Sequence, residues 1–270
     1  MPEGDTIYRA AARLRRVLDG RVLDDASVDE RYVDPRRLDG APVAGRTVTR
    51  IETRGKHLLI HLDDERVLHT HLGMTGTWDI YAADDRWRKP SRQAALRLAT
   101  GDRVAVCFSP KTLEVLTATG LRRHRWISRL GPDILTDPFD EDEALERLRR
   151  HRSVAIGVAM LDQSLVCGIG NVYKSEALFV TGMHPFDLVG AFDEETLRAL
   201  VQKTRALMRR NLEGYPRKTR FSRDGSRAHV YGRSGEPCHR CGTRIDMRRQ
   251  GDLGRSTYWC PRCQPPAASD

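Results

Sequence analysis

Two groups of residues in this chain could do chemistry. The first opens it, as Met1-Pro2-Glu3-Gly4. Removal of an initiator methionine is usual before a small residue and would expose the secondary amine of Pro2. An α-amine has a pKa of about 8, so a useful fraction is an unprotonated nucleophile near neutral pH. A primary amine attacking an aldehyde carbon gives an imine that must be protonated before it draws electrons. A secondary amine gives an iminium with permanent positive charge, a stronger electron sink. Glu3 stands beside it as a candidate to move protons. On two residues alone Pro2 is an ordinary second residue; the rest of the chain changes that reading.

The second group is Cys238-x2-Cys241 and Cys260-x2-Cys263, with 18 residues between the pairs. This spacing matches a four-thiolate zinc site, each pair forming a tight knuckle and the intervening stretch a hairpin. Four cysteines leave no open coordination position, so the zinc is expected to be structural. The redox alternative calls for one such motif in a thioredoxin-like context, which is absent. Cys107 and Cys167 stand apart. Cysteines used this way suit a cytosolic protein with a metal site, not a disulfide scaffold.

Four further motifs are weaker singly. Gly254-Arg255-Ser256 reads as the tip of the hairpin, presenting Arg255 to a phosphate or a minor groove, or as one surface arginine among many. Gly168-Ile169-Gly170-Asn171 reads as a tight turn with exposed N–H groups before a helix, suited to phosphate, with Asn171 as cap and contact, or as a plain interhelical turn. Gly55-Lys56-His57 precedes a strand, and His69-Thr70-His71-Leu72-Gly73-Met74-Thr75-Gly76 follows the next. Lys56 and His71 could hold phosphates, and Met74 could wedge between bases. Equally they read as a surface lysine, a satisfied histidine and a core methionine.

The charge distribution favours a polyanion. The net charge is +9, yet residues 203–262 carry 16 Lys or Arg against 5 Asp or Glu, leaving 30 against 32 elsewhere. A basic block of this kind points to nucleic acid. No basic amphipathic helix with a broad aromatic face appears, which argues against a membrane surface. The N-terminus lacks the apolar core of a secretory signal, and no stretch approaches a membrane span. A cytoplasmic location is expected, nucleoid-associated if bacterial.

The elements that would position these residues follow from periodicity. Residues 6–18 read as a helix with Ile7, Ala10, Ala11, Leu14, Val17 and Leu18 on one face and Asp5 as cap. From 21 to 129 short alternating runs predict an antiparallel β-sandwich or barrel, with 79–92 a charged loop. Gly131-Pro132 and Asp137-Pro138 mark a linker. Helices are predicted at 141–150, near 154–162, after Asn171, and at 193–212 with Gly214 as the stop. Residues 215–228 are basic and polar and read as a mobile segment. The domains expected are 1–135, 136–228 and 229–266, with a tail at 267–270: an α+β multidomain chain.

Taken together the pieces resemble the family of formamidopyrimidine-DNA glycosylase and endonuclease VIII. Met-Pro-Glu-Gly, Gly55-Lys56-His57-Leu58-Leu59, His71-Leu72-Gly73-Met74-Thr75-Gly76 and Leu130-Gly131-Pro132-Asp133 occur in order. So do Leu161-Asp162-Gln163-Ser164, Gly168-Ile169-Gly170-Asn171-Val172-Tyr173-Lys174-Ser175-Glu176-Ala177-Leu178 and Val230-Tyr231-Gly232-Arg233 before the cysteines. The resemblance covers the chain almost end to end. It implies an N-terminal β-sandwich with a helix, a helical domain with a helix–two-turn–helix element, and a four-cysteine zinc finger. It implies a monomeric bifunctional base-excision enzyme that flips a damaged nucleotide out of duplex DNA. Pro2 would attack C1′ and displace the base, Glu3 would be the acid/base, and β- then δ-elimination would cut the strand. Lys56, His71, Asn171 and Arg255 match phosphate-binding positions that would clamp the kinked backbone between two domains. Met74 matches the residue that fills the gap left by the flipped base.

The departures matter. Asp5 and Thr6 stand where many members have Pro-Glu, so a second carboxylate is missing from its expected place. The opening leans towards the endonuclease VIII branch and oxidised pyrimidines; His71-Leu72-Gly73-Met74 leans towards the branch that takes oxidised purines. Ser109-Pro110-Lys111-Thr112-Leu113 stands where that second branch has an arginine-rich loop, implying altered contact with the strand opposite the lesion. Three readings remain: oxidised-pyrimidine removal, the same chemistry on purines, and a noncatalytic damaged-DNA-binding protein.

Overall fold

The computed structural model describes residues 2–32, 42–214 and 216–267. Met1 and its removal, Tyr215 at the head of the basic 215–228 segment, and tail residues 268–270 lie outside the described residues. The chain forms two compact units, Met1–Arg129 and Leu130–Asp270. No described helix is long and apolar enough to cross a membrane.

In the first unit, helix α1 (Gly4–Leu18) buries Ile7, Ala10, Ala11, Leu14 and Leu18, the predicted face. It begins earlier than expected. Glu3 is the N-cap, and Asp5 is not a cap but a fully buried residue of the first turn. The Thr6 hydroxyl explains the shift: it accepts the Glu3 N–H at 3.4 Å, holding the chain end two residues upstream of the expected cap.

Eight strands follow among the described residues: β1 (Asp25–Val28), β2 (Val48–Arg54), β3 (His57–Leu62), β4 (Arg66–His71), β5 (Thr77–Ala82), β6 (Ala94–Thr100), β7 (Arg103–Phe108) and β8 (Thr112–Thr117). They make two antiparallel sheets, β1-β6-β7-β5 and β2-β3-β4-β8. The result is a sandwich, not a barrel. Ile51, Leu58, Ile60, Leu68 and Val115 of the second sheet share a core with Trp78, Leu96, Leu98 and Ala105 of the first. Two arginines tether α1 to both sheets: Arg15 Nε donates to Ile51 O at 2.8 Å and an Arg13 guanidinium N–H to Trp78 O at 3.0 Å. Residues 79–82, expected in a loop, belong to β5. Trp78 enters the main core, while Tyr81 packs with Trp87 and Phe108 on the other face, and this aromatic burial outweighs the charged composition. A short helix, α2 (Ala118–Arg122), packs against β4 and β8.

The second unit begins with the stretch read as a linker, which is instead docked. Ile134 and Leu135 are buried, and Gly131 N–H donates to Gln163 O at 2.9 Å. A side chain at Gly131 would meet Leu165 O at 2.4 Å, so only glycine permits this approach. Helix α3 (Glu141–Arg150) has the predicted bounds. The predicted 154–162 helix shrinks to one turn, α4 (Ile156–Ala159), because the following residues fold into the two turns that lead to α5 (Asn171–Thr181). Helix α6 starts behind Asp193 as expected but stops at Arg209 (Glu194–Arg209). Asn211 causes the early stop by turning back: its amide donates to Leu207 O and Lys218 O and accepts from Lys218 N–H. Strands β9 (Asp246–Gln250) and β10 (Arg255–Trp259) form the hairpin between the cysteine pairs.

Candidate active site and nucleic-acid contacts

In the first unit, Arg54 pairs with His57, so Gly55 and Lys56 are the two residues of a tight hairpin turn. Gly55 takes φ 56°, the first-position glycine that such a turn favours. Lys56 therefore sits at a rigid corner, not on a loop. His57 lies opposite His71, and His71 opposite Thr112, in one row across three strands. The rings of His57 and His71 are 4.9 Å apart. Burial first, then the charges of Lys111 and Lys56, push His71 down to about 4. Burial, then His71, His124 and Lys56, push His57 down to about 3. Both imidazoles are thus neutral at physiological pH. Gly73 N–H donates to His71 Nδ1 at 3.2 Å, so the proton of the neutral ring is on Nε2, a donor suited to a phosphate oxygen.

Met74 is 64% exposed, which removes the core reading. It is carried by a turn closed by Gly76 N–H to Leu72 O at 2.9 Å. A Cβ on Gly76 would lie 2.5 Å from that same carbonyl. Pro2 is half-buried beside the fully buried Glu3. The Asp5 carboxylate is engaged, with Arg9 at 3.4 Å and the Thr6 hydroxyl at 3.2 Å. Ser109 and its two successors form the short β7–β8 connection, with Ser109 at φ 45°.

In the second unit Gly170, not Asn171, is the N-cap of α5; Asn171 is its first helical residue. Gly170 takes the extended cap backbone and frees the Asn171 side chain for another task. Its Nδ2 donates to Ser256 O at 2.7 Å, which places Asn171 against the residue next to Arg255. An amide carries two such hydrogens, so one hydrogen bond to Ser256 does not exhaust it as a donor. Arg255 is the first residue of β10, after a turn in which Gly251 and Gly254 take φ 67° and 56°.

Two buried charged residues with no role in the sequence reading hold this arrangement. Lys174 Nζ donates to Thr257 Oγ1 at 2.7 Å and Ser256 O at 3.3 Å. The Glu176 carboxylate accepts from Thr219 Oγ1 at 2.5 Å, His229 N–H at 2.7 Å, and Val230 and Tyr231 N–H at 2.8 Å each. The part of the basic segment read as mobile that is described is therefore anchored at Thr219. The signal was available: Lys174 and Glu176 are the two charged residues of this helix, and buried charges need partners.

The four cysteine sulfurs converge. Cys238–Cys263, Cys241–Cys260 and Cys241–Cys263 lie 3.9, 3.4 and 3.5 Å apart. A tetrahedral zinc with Zn–S of about 2.3 Å sets its sulfurs about 3.8 Å apart, so the set fits one ion. Hydrogen bonds from Thr243 push Cys241 down to about 6, whereas burial pushes Cys260 and Cys263 up, so a bound metal would have to displace the protons of those two thiols. Cys238, Cys260, Phe179, Val230 and Ile245 form one small core, so this zinc site fastens the hairpin to α5. It is structural. Cys107 and Cys167 are buried elsewhere. A cavity of about 450 Å³ between α3 and α6 is lined by five carboxylates, Asp140, Asp142, Glu143, Glu146 and Glu194, against Arg149 and Arg198, a balance of the wrong sign for a phosphate.

Known proteins share these features. Residues 1–112 match the model of the formamidopyrimidine-DNA glycosylase N-terminal domain, 130–222 that of the same enzyme's H2TH domain, and 235–266 that of the zinc finger found in FPG and IleRS. The chain is 40% identical to the "Probable endonuclease 8 2" of Streptomyces coelicolor, over 98% of this chain and 94% of that one. It is 36% identical to the "DNA-(apurinic or apyrimidinic site) lyase Nei2" of Mycolicibacterium smegmatis, over 98% and 99%. The fold matches the Lactococcus lactis formamidopyrimidine-DNA glycosylase solved with AP-site DNA, with a TM-score of 0.80, 24% identity, and 98% and 100% coverage. With its sandwich, H2TH element and zinc finger each accounted for, the chain belongs to the formamidopyrimidine-DNA glycosylase family, alongside the endonuclease 8 proteins.

Proposed function

We propose that this protein is a DNA glycosylase with AP lyase activity, acting in base excision repair on oxidised pyrimidines in duplex DNA. The observation that carries this reading is the match over 98% of the chain to relatives named endonuclease 8 and AP lyase. The amine of Pro2, free once Met1 is removed, bonds to C1′ while the C1′–base bond breaks. The C1′–O4′ bond then breaks as O4′ takes a proton, opening the sugar as an iminium, which acidifies C2′–H. Loss of that proton expels the 3′ phosphate, and a second elimination releases the 5′ phosphate. Glu3 handles the protons. Lys56 and His71 of the first unit and Asn171 and Arg255 of the second bind phosphates, and Met74 fills the space of the flipped base. The zinc holds Arg255 in place and takes no part in the reaction. We place the protein in the cytoplasm, nucleoid-associated if bacterial.

A second reading keeps the chemistry and changes the lesion to oxidised purines; His71-Leu72-Gly73-Met74 supports it. A third, damage binding without chemistry, rests on Thr6 alone. Borohydride trapping on a duplex with one abasic site, with Pro2→Gly as control and intact mass to confirm loss of Met1, tests the reading. The expected result is a covalent adduct, lost or much reduced in the variant. No adduct from processed, zinc-loaded protein would sink the lyase mechanism. A panel of lesion duplexes then separates pyrimidine from purine.

A further inference from the structure

The outer face of the second sheet leads from His71 to a basic loop that the proposed chemistry does not use. Register pairs His57 with His71 and Leu59 with His69 across β3–β4, and His69 with Glu114 across β4–β8. Alternation therefore puts His57, His69, His71 and Glu114 on one face, while Leu58, Ile60, Leu68 and Val115 face the sandwich core. His124, just beyond α2, closes the far end of this row. The ring centroids of His71 and His57, of His57 and His69, and of His69 and His124 lie 4.9, 5.0 and 5.3 Å apart. The row is thus no longer than the rise of about five nucleotides along one strand.

His124 fastens the loop to the sheet. Its Nδ1 accepts from the Trp126 and Ile127 N–H groups at 3.4 and 3.2 Å, so its proton is on Nε2, which donates to Glu114 Oε2 at 2.9 Å. The same carboxylate oxygen accepts from His69 Nδ1 at 2.8 Å. These are N–H···O lengths, shorter than the roughly 3.4 Å that separates the ligands of a tetrahedral ion, so the three groups form a hydrogen-bonded clasp and not a metal site. Burying a carboxylate against two imidazoles is costly. Here it pins a loop whose other side chains point away. Leu121, His124 and Ile127 are buried, three residues apart, while Arg122, Arg123, Arg125 and Trp126 between them are exposed.

What the clasp presents is of one kind. Between Glu114 and Asp133 the chain has four arginines, Arg122, Arg123, Arg125 and Arg129, and no carboxylate. No ion pair joins any of them to a carboxylate of the described residues. Trp126 is 61% exposed, with the Arg125 guanidinium 4.9 Å from its ring. An exposed tryptophan alone would mean little. A ring set among unpaired arginines is the combination that holds a nucleic-acid strand, with phosphates on the guanidinium groups and a base on the ring. Bases inside a duplex are already stacked, so the ring calls for an unpaired one.

We propose that the loop Arg122–Trp126 is a second nucleic-acid contact that continues the strand held at Lys56 and His71: Arg123 and Arg125 take phosphates, and Trp126 stacks on an unpaired base within about five nucleotides of the lesion. The favoured substrate is then a lesion with an unpaired flank, as in a bubble. The place of the loop along the damaged strand rests on the proposed function; its affinity for single-stranded DNA does not.

Binding titrations of the zinc-loaded, Met1-processed protein at several salt concentrations test this on three probes. One is a duplex with a reduced abasic site, which cannot form the iminium. The second has the same site with about five unpaired nucleotides on each side, and the third is an undamaged single strand. The parent should bind the second probe more tightly than the first. Trp126→Ala should weaken binding of the second about tenfold and leave the first within about threefold, while Trp126→Phe, which keeps a ring, should stay near the parent on both. Arg123→Gln with Arg125→Gln should lower the slope of log affinity against log salt by about one to two on every probe. Equal losses on the first two probes in Trp126→Ala, as a structural role would give, overturn the proposal, and so does an unchanged salt slope in the double variant. Unchanged DNA binding beside lost binding of a polyglutamate peptide would assign the surface to an acidic protein and also overturn it. If the parent does not distinguish the reduced abasic duplex from an undamaged one, the functional reading has failed and the single strand decides: about tenfold weaker binding by Trp126→Ala upholds the loop as a nucleic-acid contact, and equal binding overturns it.

Discussion

The wholly buried ammonium of Lys174 on α5 donates to Thr257 Oγ1 on β10 at 2.7 Å, and the Thr257 hydroxyl donates onward to Gln250 Oε1 at 3.0 Å. This chain ties the helix that carries Asn171 to the strand that carries Arg255. The two partners are not equivalent. Lys174→Met removes a donor and leaves Thr257 still bonded to Gln250. Thr257→Val takes an acceptor from a buried cation and a donor from Gln250. We expect Thr257→Val to cost about 3 kcal/mol and Lys174→Met about 1 kcal/mol. Denaturant titration of the zinc-loaded protein checks the order; a larger loss in Lys174→Met would contradict it.

The turn beneath Met74 separates presentation from contact. A Cβ on Gly76 would sit 2.5 Å from the Leu72 carbonyl, a backbone atom that cannot swing aside. Gly76→Ala should destabilise by about 2 kcal/mol or more, through backbone displacement. Met74→Ala, at a side chain 64% exposed, should leave stability within about 0.5 kcal/mol. Both should weaken binding to a duplex with an abasic site. Met74→Ala with unchanged binding would remove Met74 from the DNA contacts.

Some of this was legible in the sequence because the signal is local. The spacing of Cys238, Cys241, Cys260 and Cys263 is set by the geometry of one ion, and the face of α1 by its period. What the chain order hid is non-local. Glu114 and His124 carry no motif; they matter because β8 pairs with β4 and α2 folds over it, so a register had to be known first. Glu176 stood out in the sequence as a charge in a helix with little charge, but its four donors, from residues 219–231, did not. The cap of α1 was misplaced because Asp5 is a better capping residue by type than Glu3. The Thr6 hydroxyl, whose place the family resemblance marks as a lost carboxylate, decided the matter instead.

The depressed imidazoles make stability fall with acidity. His57 and His71 titrate near 3 and 4 in the folded chain, against 6.5 for an ordinary histidine. Below pH 6.5 the unfolded chain takes up protons that the folded chain refuses. The unfolded state therefore gains as pH falls, until each ring protonates in the folded state too. Unfolding free energy should drop by up to about 1.4 kcal/mol per pH unit for each ring between about pH 6.5 and 4. His57 alone should continue the loss to about pH 3. Urea titrations at pH 7.5, 6 and 5 should show this slope, and His71→Gln should reduce it without removing it, since burial also lowers His229 and His239. A slope unchanged in His71→Gln would mean the ring is not held neutral.

Zinc removal should reach the DNA contacts through packing alone. Without the ion the four sulfurs lose what holds them within 3.4 to 3.9 Å, and Phe179, Val230 and Ile245 lose the cysteines they pack against. Strand β10 then no longer holds the Ser256 carbonyl at Asn171 or the Thr257 hydroxyl at Lys174. Cys260→Ser should abolish stoichiometric zinc and weaken abasic-site binding by at least about tenfold, the scale of one lost charge-assisted phosphate contact. Cys107→Ala, in the sandwich core, should lose some stability yet keep one zinc per chain and the parent's affinity. Metal analysis beside binding titrations at one fixed salt concentration distinguishes the two, since phosphate contacts vary steeply with salt. Full affinity in a zinc-free Cys260→Ser protein would show that Arg255 and Asn171 do not depend on the finger.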